Sequence, residues 1–384
     1  MRGRAVVGSV AIEPLLRELI GLASPDPPGN ERAIASRVHE VLTQLGIAAE
    51  CDEFAPGRCN VIGRIKGRGR APALALSAHL DTVPVGTAAW SKPPFAGIVE
   101  GGRLYGRGTA DMKSAVVAMI AAAGQLQRRQ TPLAGDVVLL FTAGESSNLL
   151  GARRVVERGR MAGIGALLVG EPSSLDVVVV EMAALWLRLT AKGRIGHVSG
   201  DPGVNAIDGL RRGLNRLEDL ALPSRPHPLL GPPRLTVGRI EGGSAVNVTP
   251  DACSADVDLR LHPGIEAEAA IAAVRAAVGP DLEVARLDFK PAVESPAAAP
   301  FVQLCREVCT AHMGAPAALR GVPYFSDAAV LAAGREVAFA IVGPGEIGQS
   351  GQPDESVELA KVERAAAIYA EIAARWLEAQ AANA

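Results

Sequence analysis

The chain is poor in cysteine. Only Cys51, Cys59, Cys253, Cys305 and Cys309 occur among 384 residues, and none of them forms a CxxC spacing. An odd set cannot pair completely, so a disulfide framework is excluded and a reducing, cytoplasmic setting is expected. A basic surplus is missing too: 39 Lys and Arg stand against 41 acids, the formal net charge is −2, and the two signs are interspersed. That balance argues against nucleic acid and anionic membrane as partners. Apolar runs are either strand-length or broken by charge, short of the ~20 residues that cross a bilayer. Internal repeats are absent, and low complexity is confined to Ala-rich helices. The start, MRGRAVVGSVAIEPLLREL, couples basic residues to a short apolar run, but Glu13 and Arg17 follow without a small-residue cleavage site. It reads as the lead-in to a first helix rather than as a secretory signal.

What the chain does have is material for packed cores, with 48% hydrophobic residues and a length that suits two domains or one large one. Up to residue 180, helical patterns near 11–23 and 30–45 alternate with the strands CNVIGRI, ALALSAH, DVVLLFTA and ALLVGE, and a long helix is expected from Asp111 to about Gln127. Short apolar strands between helices predict an α/β sheet covered on both faces. After VVVVE the pattern changes. ALWLRLTAKG, NAIDGLRRGLNRLEDL, RLTVGRIEGG, ACSADVDLRLH, IEAEAAIAAVRAAV and LEVARLDF run β-α-β-β-α-β, the ferredoxin-like plan. KPAVESPAAAP then reads as a return linker. A helix over 300–313, the strand VAFAIVG and a last helix over 357–380 resume the first pattern. Residues 181–291 are therefore expected to form a domain inserted in a larger one made of 1–180 and 292–384.

In open α/β sheets, function collects at the carboxyl ends of strands. Four such places carry polar residues: His79 and Asp81 after ALALSA, Asp111 where a Gly-rich loop opens a helix, Glu145 after DVVLLFTAG, and Glu171 after ALLVG. Each has an ordinary explanation when taken singly. Asp111 suits a helix N-cap, His79 and Asp81 suit a loop pair, and Glu171 before Pro172 suits a turn. Together they make one imidazole and several carboxylates at one sheet edge, the donor set of a borderline divalent metal such as zinc. So many acids around one His would also repel one another, or keep protons, unless a cation lay among them. Cys305 and Cys309, four apart on a helix, read as core packing rather than a metal pair. His39, His227, His262 and His312 read as surface or packing residues.

The motifs AHLDTVP, WSKPPFAGIVEGGRLYGRGTADMKS, FTAGESSNLLGA, GEPSSLDVVV, GRIGHVSGDPGVNAI, EGGSAVNVTPDACSADVDLR and GPGEIGQSGQPDESV, in this order and spacing, span nearly the whole chain. In them it resembles the co-catalytic zinc amidohydrolases and peptidases that include acetylornithine deacetylase, succinyl-diaminopimelate desuccinylase, aminoacylase and glutamate carboxypeptidase. The resemblance implies an α/β, mixed-sheet catalytic domain with an inserted ferredoxin-like α+β domain serving as lid and dimerisation module, hinged near residues 181 and 291. By it, His79, Asp111 and Glu171 are metal ligands, Asp111 bridges to a second ion, and Asp81 orients His79. Glu145 is the general base, His197 stabilises the oxyanion, and Asn247 and Arg260 hold substrate, Arg260 by gripping a carboxylate.

Two positions depart from the family pattern. The acid that normally follows the base is Ser146 here, and a C-terminal histidine is replaced by Gly351. Both lost side chains serve the same ion, so one ion per subunit is expected, zinc first and Co2+ or Mn2+ as substitutes, with Glu346, Gln349 and Asp354 as candidate replacements at the other position. The implied activity is hydrolysis of an N-acyl or peptide bond near a free carboxylate on a small N-acyl amino acid or peptide-like substrate, by a cytoplasmic homodimer. The alternative is a repurposed member that performs acyl transfer, condensation or lyase chemistry, or that only binds its substrate.

Overall fold

The computed structural model describes residues 10–222 and 226–382; residues 1–9, the expected lead-in to the first helix, lie outside them. The chain divides into two compact units, one of Met1–Val179, Ser295–Arg320 and Ser326–Ala384, the other of Val180–Glu294 and Gly321–Phe325.

The first unit is built on strands that are apolar on both faces. Ala73–His79 and Val137–Thr142 are buried at every residue, which requires cover above and below the sheet. Helix Ser114–Gln127 supplies part of that cover and is itself buried almost all round, packed against the final helix Leu359–Ala382. Helices Ile12–Gly21 and Arg32–Gln44 turn one apolar stripe inward each. The sheet runs in the order Ala48–Ala55, Arg58–Ile65, Val137–Thr142, Ala73–His79, Ile164–Val169, Ala338–Ile341 and Val177–Glu181. The four strands from Val137–Thr142 to Ala338–Ile341 are mutually parallel, and their outer neighbours Arg58–Ile65 and Val177–Glu181 run antiparallel to them. The sheet is therefore mixed. Its parallel centre leaves the carboxyl ends of neighbouring strands side by side.

The helix expected from Asp111 begins later. Thr109–Lys113 form a wide turn in which Asp111 is extended (φ −129, ψ 94), and the α-helix starts at Ser114. The backbone amides of Gly108, Ala110 and Asp111 all donate to Glu355 Oε1, at 3.1, 2.8 and 3.1 Å, which holds this turn in place ahead of the helix. Cys305 and Cys309 sit on helix Pro300–Met313, buried in the core, and the five cysteines are free thiols. Among the described residues no helix is long and apolar enough to cross a membrane.

The second unit is a four-stranded antiparallel sheet, ordered Arg234–Gly242, Ala252–Leu261, Ala183–Lys192, Leu282–Lys290, with helices Ala206–Leu217 and Ala267–Val278. Alternation explains it: Leu185, Leu187 and Leu189 face one way and pair with Leu259, Val257 and Ala255, all buried, while Arg188 and Asp256 face the other and bond each other at 2.7 Å. Gly321–Phe325 belongs to this unit: the Met182 amide donates to the Val322 carbonyl at 3.1 Å, and the Trp186 and Phe325 rings meet edge-on at 6.4 Å. Leu259→Ala, at a position with 0% exposure, is expected to cost about 3 kcal/mol, read from the urea midpoint. A cost below about 1 kcal/mol would show that the core does not rest on this layer.

Candidate metal centre

Strand register places the candidate residues. His79 ends its strand level with Thr142 of one parallel neighbour, and Ser77 is level with Val169 of the other. Three residues past Thr142 comes Glu145, and two past Val169 comes Glu171, so all three leave the sheet at one edge. Asp111 arrives from the loop that Glu355 gathers. That loop is pinned further by the buried Arg107, 2.5 Å from Glu355 Oε2, and by Lys113, whose buried ammonium donates to the carbonyls of Leu19 and Leu22 at 3.0 and 2.8 Å.

The result is a cluster. His79 Nε2 lies 2.9 Å from Asp111 Oδ1 and 3.7 Å from Glu171 Oε1, and one donor atom from each of the three residues falls within 4.8 Å of the others. His79 Nδ1 is 2.9 Å from the Asp81 carbonyl and donates its proton there, while Nε2 faces the carboxylates and donates to Asp111 Oδ1. Asp81 therefore touches the ring through its main chain, its own carboxylate lying 3.8 Å away. That buried carboxylate accepts the amides of Glu145 and Ser146 at 3.0 and 3.1 Å and so anchors the loop beyond the neighbouring strand.

The charges are out of balance. Burial alone would push His79 down, but its hydrogen bond to Asp111 and the charges of Asp81 and Glu171 outweigh it and hold the imidazolium well above the usual range. Burial opposes the Asp111 charge too, yet the hydrogen bond from His79, with help from the Ser350 hydroxyl, keeps its carboxyl below the usual range. Glu171 and Glu145 go the other way. Burial lifts both well above an ordinary carboxyl; His79 pulls each down, while Asp111 raises Glu171 further and Asp81 and Asp327 raise Glu145 further. An N/O donor set that can settle only by retaining protons fits a divalent cation.

Two of the candidate replacement ligands, Glu346 and Asp354, are engaged elsewhere. Glu346 is ion-paired with Arg103 and Lys361 at 3.1 and 3.0 Å, and Asp354 Oδ1 accepts the amides of Ser91 and Lys92 at 2.9 and 3.2 Å. The Gln349 amide donates to the Glu346 carbonyl at 3.2 Å. Gly351 accepts from Arg107 at 3.0 Å through its carbonyl. Among the described residues, the group able to hold an ion consists of His79, Asp111 and Glu171.

Of the residues in the second unit, His197 and Asn247 are exposed, with His197 Nε2 and Asn247 Nδ2 3.2 Å apart. Arg260 forms a fork with Asp258 at 2.8 and 2.9 Å and stacks 5.2 Å over the Phe325 ring. The other histidines are bonded away from the cluster: His39 to the Ala49 carbonyl at 3.2 Å, His227 to Glu294 at 3.1 Å, His262 to the Gly231 carbonyl at 2.6 Å and His312 to Glu371 at 2.9 Å.

Two buried acids escape a reading of strand ends. Glu355 acts through the Asp111 loop, 244 residues away in sequence; its signal was an acid within GPGEIGQSGQPDESV and an arginine, Arg107, within RLYGRGTADMKS. Asp327, which accepts from Thr142 Oγ1 at 2.5 Å and is pushed by burial up to about 6, precedes the short helix Ala328–Leu331 and gave no signal.

Known proteins match this chain over most of its length. Residues 75–375 match the model of peptidase family M20/M25/M40. The chain is 33% identical over 382 residues to the succinyl-diaminopimelate desuccinylase of Rhodospirillum centenum, covering 94% of this chain and 96% of the relative. It is 30% identical over 354 residues to the acetylornithine deacetylase of Vibrio atlanticus, covering 87% and 89%. An M20 family metallo-carboxypeptidase from Sulfolobus solfataricus has the same fold, with a TM-score of 0.79 at 16% identity over 94% of this chain and 98% of its own.

Because Glu355 holds the Asp111 loop, its removal should be felt at the metal. Glu355→Gln, which keeps one acceptor oxygen, is expected to weaken zinc binding about tenfold, and Glu355→Leu about a hundredfold, measured by competition with a chromophoric chelator. Unchanged affinity in Glu355→Leu would show that Asp111 is positioned by something else.

Proposed function

Because the chain belongs to peptidase family M20/M25/M40, a family of metal-dependent hydrolases, we propose that it cleaves an N-acyl or peptide bond beside a free carboxylate, using one firmly held ion. The meeting of the donor atoms of His79, Asp111 and Glu171, with the Glu145 carboxyl inside their electric field, carries this reading. Those three residues would hold the ion. Zinc suits one imidazole and two carboxylates, and Co2+ or Mn2+ can take the same donors. When bound, the ion supplies Lewis acidity toward the scissile carbonyl and makes a water molecule more acidic.

The remaining work falls to side chains. Glu145 removes the proton of the attacking water and returns it to the departing nitrogen. Asp81 serves twice, fixing the His79 tautomer through its carbonyl and the Glu145 loop through its carboxylate. His197, an exposed imidazole bonded to Asn247, stabilises the oxyanion, and Asn247 helps to orient the substrate. Arg260 takes the substrate carboxylate by exchanging it for Asp258, its present partner. The names of the two curated relatives support a small N-acylated amino acid as substrate. Strand Arg234–Gly242, exposed along most of its length at the edge of its sheet, supports the second unit as a dimerisation module.

Ser146 and Gly351 favour a second reading in which the same pocket performs acyl transfer, condensation or lyase chemistry, since only one side chain of the other ion's set, Asp111, is retained. One experiment separates the two. The zinc-loaded protein is incubated with N-succinyl and N-acetyl amino acids and amine release is followed. Hydrolysis is expected, reduced about a thousandfold in Glu145→Gln with zinc content unchanged. Binding without release would sink the hydrolytic reading.

A further inference from the structure

Beneath the Glu145 loop lies a buried ion pair that the mechanism above does not use. Arg58, at the start of strand Arg58–Ile65, is 8% exposed, and its guanidinium forks onto Asp26, with Nη2 to Oδ2 at 2.9 Å and Nη1 to Oδ1 at 3.3 Å. Glu31 Oε2 stands 3.0 Å from Nε on another side, at ion-pair distance without hydrogen-bond alignment. Burial, reinforced by Asp81, lifts the Glu31 carboxyl to about 7.

Two glycines let the backbone close onto this guanidinium. A Cβ at Gly29 would lie 1.8 Å from Nη1 and one at Gly144 would lie 2.0 Å from Nη2, and both residues have positive φ, +81 and +73. Gly144 immediately precedes Glu145. On the far side of Glu145, the Ser147 hydroxyl donates to Asp26 Oδ1. The Asp26 segment is tied in turn to the strand end that carries His79: the Asp26 amide donates to the Thr82 carbonyl at 2.8 Å, the Thr82 amide to the Ser24 carbonyl at 2.9 Å, and the Ser24 hydroxyl to the Leu80 carbonyl at 2.7 Å.

The Glu145 loop thus has two anchors. Asp81 takes the amides of Glu145 and Ser146, and Asp26, oriented by Arg58, takes the hydroxyl of Ser147. Two points of attachment on separate segments remove the rotation that one alone would leave, and a catalytic carboxyl must be held within a narrow range to act on a water. We propose that Arg58, Asp26 and Ser147 are positioning residues for Glu145, locking loop 144–147 to the segment that bears His79. The assignment rests on the reading of Glu145 as general base. The anchor itself does not depend on turnover, so it can be tested apart from it.

Substituting Asp26 or Arg58 leaves a buried charge unpaired and endangers folding, so the deciding variants are Ser147→Ala and Ser147→Thr. Hydrogen exchange of the Glu145 and Ser146 amides is followed in the zinc-loaded protein, together with kcat and KM for the N-acyl amino acid that the parent cleaves. In Ser147→Ala exchange is expected to quicken about tenfold and kcat to fall about tenfold, with KM and zinc content unchanged; Ser147→Thr, which keeps the hydroxyl, restores both. Unaltered exchange in Ser147→Ala, or a Ser147→Thr protein that behaves like it, overturns the proposal. If exchange responds as expected while the parent cleaves nothing, the anchor stands and only the hydrolytic reading falls.

Discussion

Everything at this site depends on there being more buried acid than base. Asp81, Asp111, Glu145, Glu171 and Asp327 act electrostatically on or around one imidazole. Water cannot spread their charge, so neighbouring carboxyls either retain protons or share a cation. The directions of shift follow from this. Asp111, bonded to His79, stays ionised, whereas Glu145 and Glu171 are driven up by burial and by the neighbouring acids. Such a site is costly in the folded chain and becomes favourable when a divalent ion enters, which couples metal affinity to the accuracy of the surrounding scaffold.

That scaffold consists of long-range polar attachments that aim short segments. Glu355 draws three amides of one loop together and holds the extended Asp111 ahead of the helix. Asp81 joins the His79 strand end to the Glu145 loop. Ser146 and Gly351 change the balance on one side only. Ser146 offers its amide to Asp81, Gly351 offers its carbonyl to Arg107, and neither brings a charge toward Asp111. The adjacent Ser350 instead gives Asp111 a neutral hydrogen-bond donor. Asp111, which the family resemblance implies as a bridge between two ions, here has His79, Glu171 and the Ser350 hydroxyl beside it.

Much of this was legible in the sequence because it depends on local pattern. Fully apolar strands followed by a polar residue marked His79, Glu145 and Glu171, and the β-α-β-β-α-β order of segments that includes ALWLRLTAKG and ACSADVDLRLH marked the second unit. Helix Pro300–Met313 lies where its apolar spacing put it. The rest depends on pairings between distant residues, which no local period encodes. Glu355 with the Asp111 loop, Asp327 with Thr142, Arg58 with Asp26, and Gly321–Phe325 with the second unit are all of this kind. The edge strand Ala48–Ala55, AAECDEFA, escaped notice for a different reason: it is largely exposed and carries too little apolar alternation to stand out.

The central proposal is that the chain holds one ion, through His79, Asp111 and Glu171. Its most direct test is metal content: the protein is stripped with chelator, titrated calorimetrically with zinc, and the bound ion counted per chain by elemental analysis. One tight equivalent, lost in His79→Ala, is the predicted result. Two tight equivalents per chain would contradict the account.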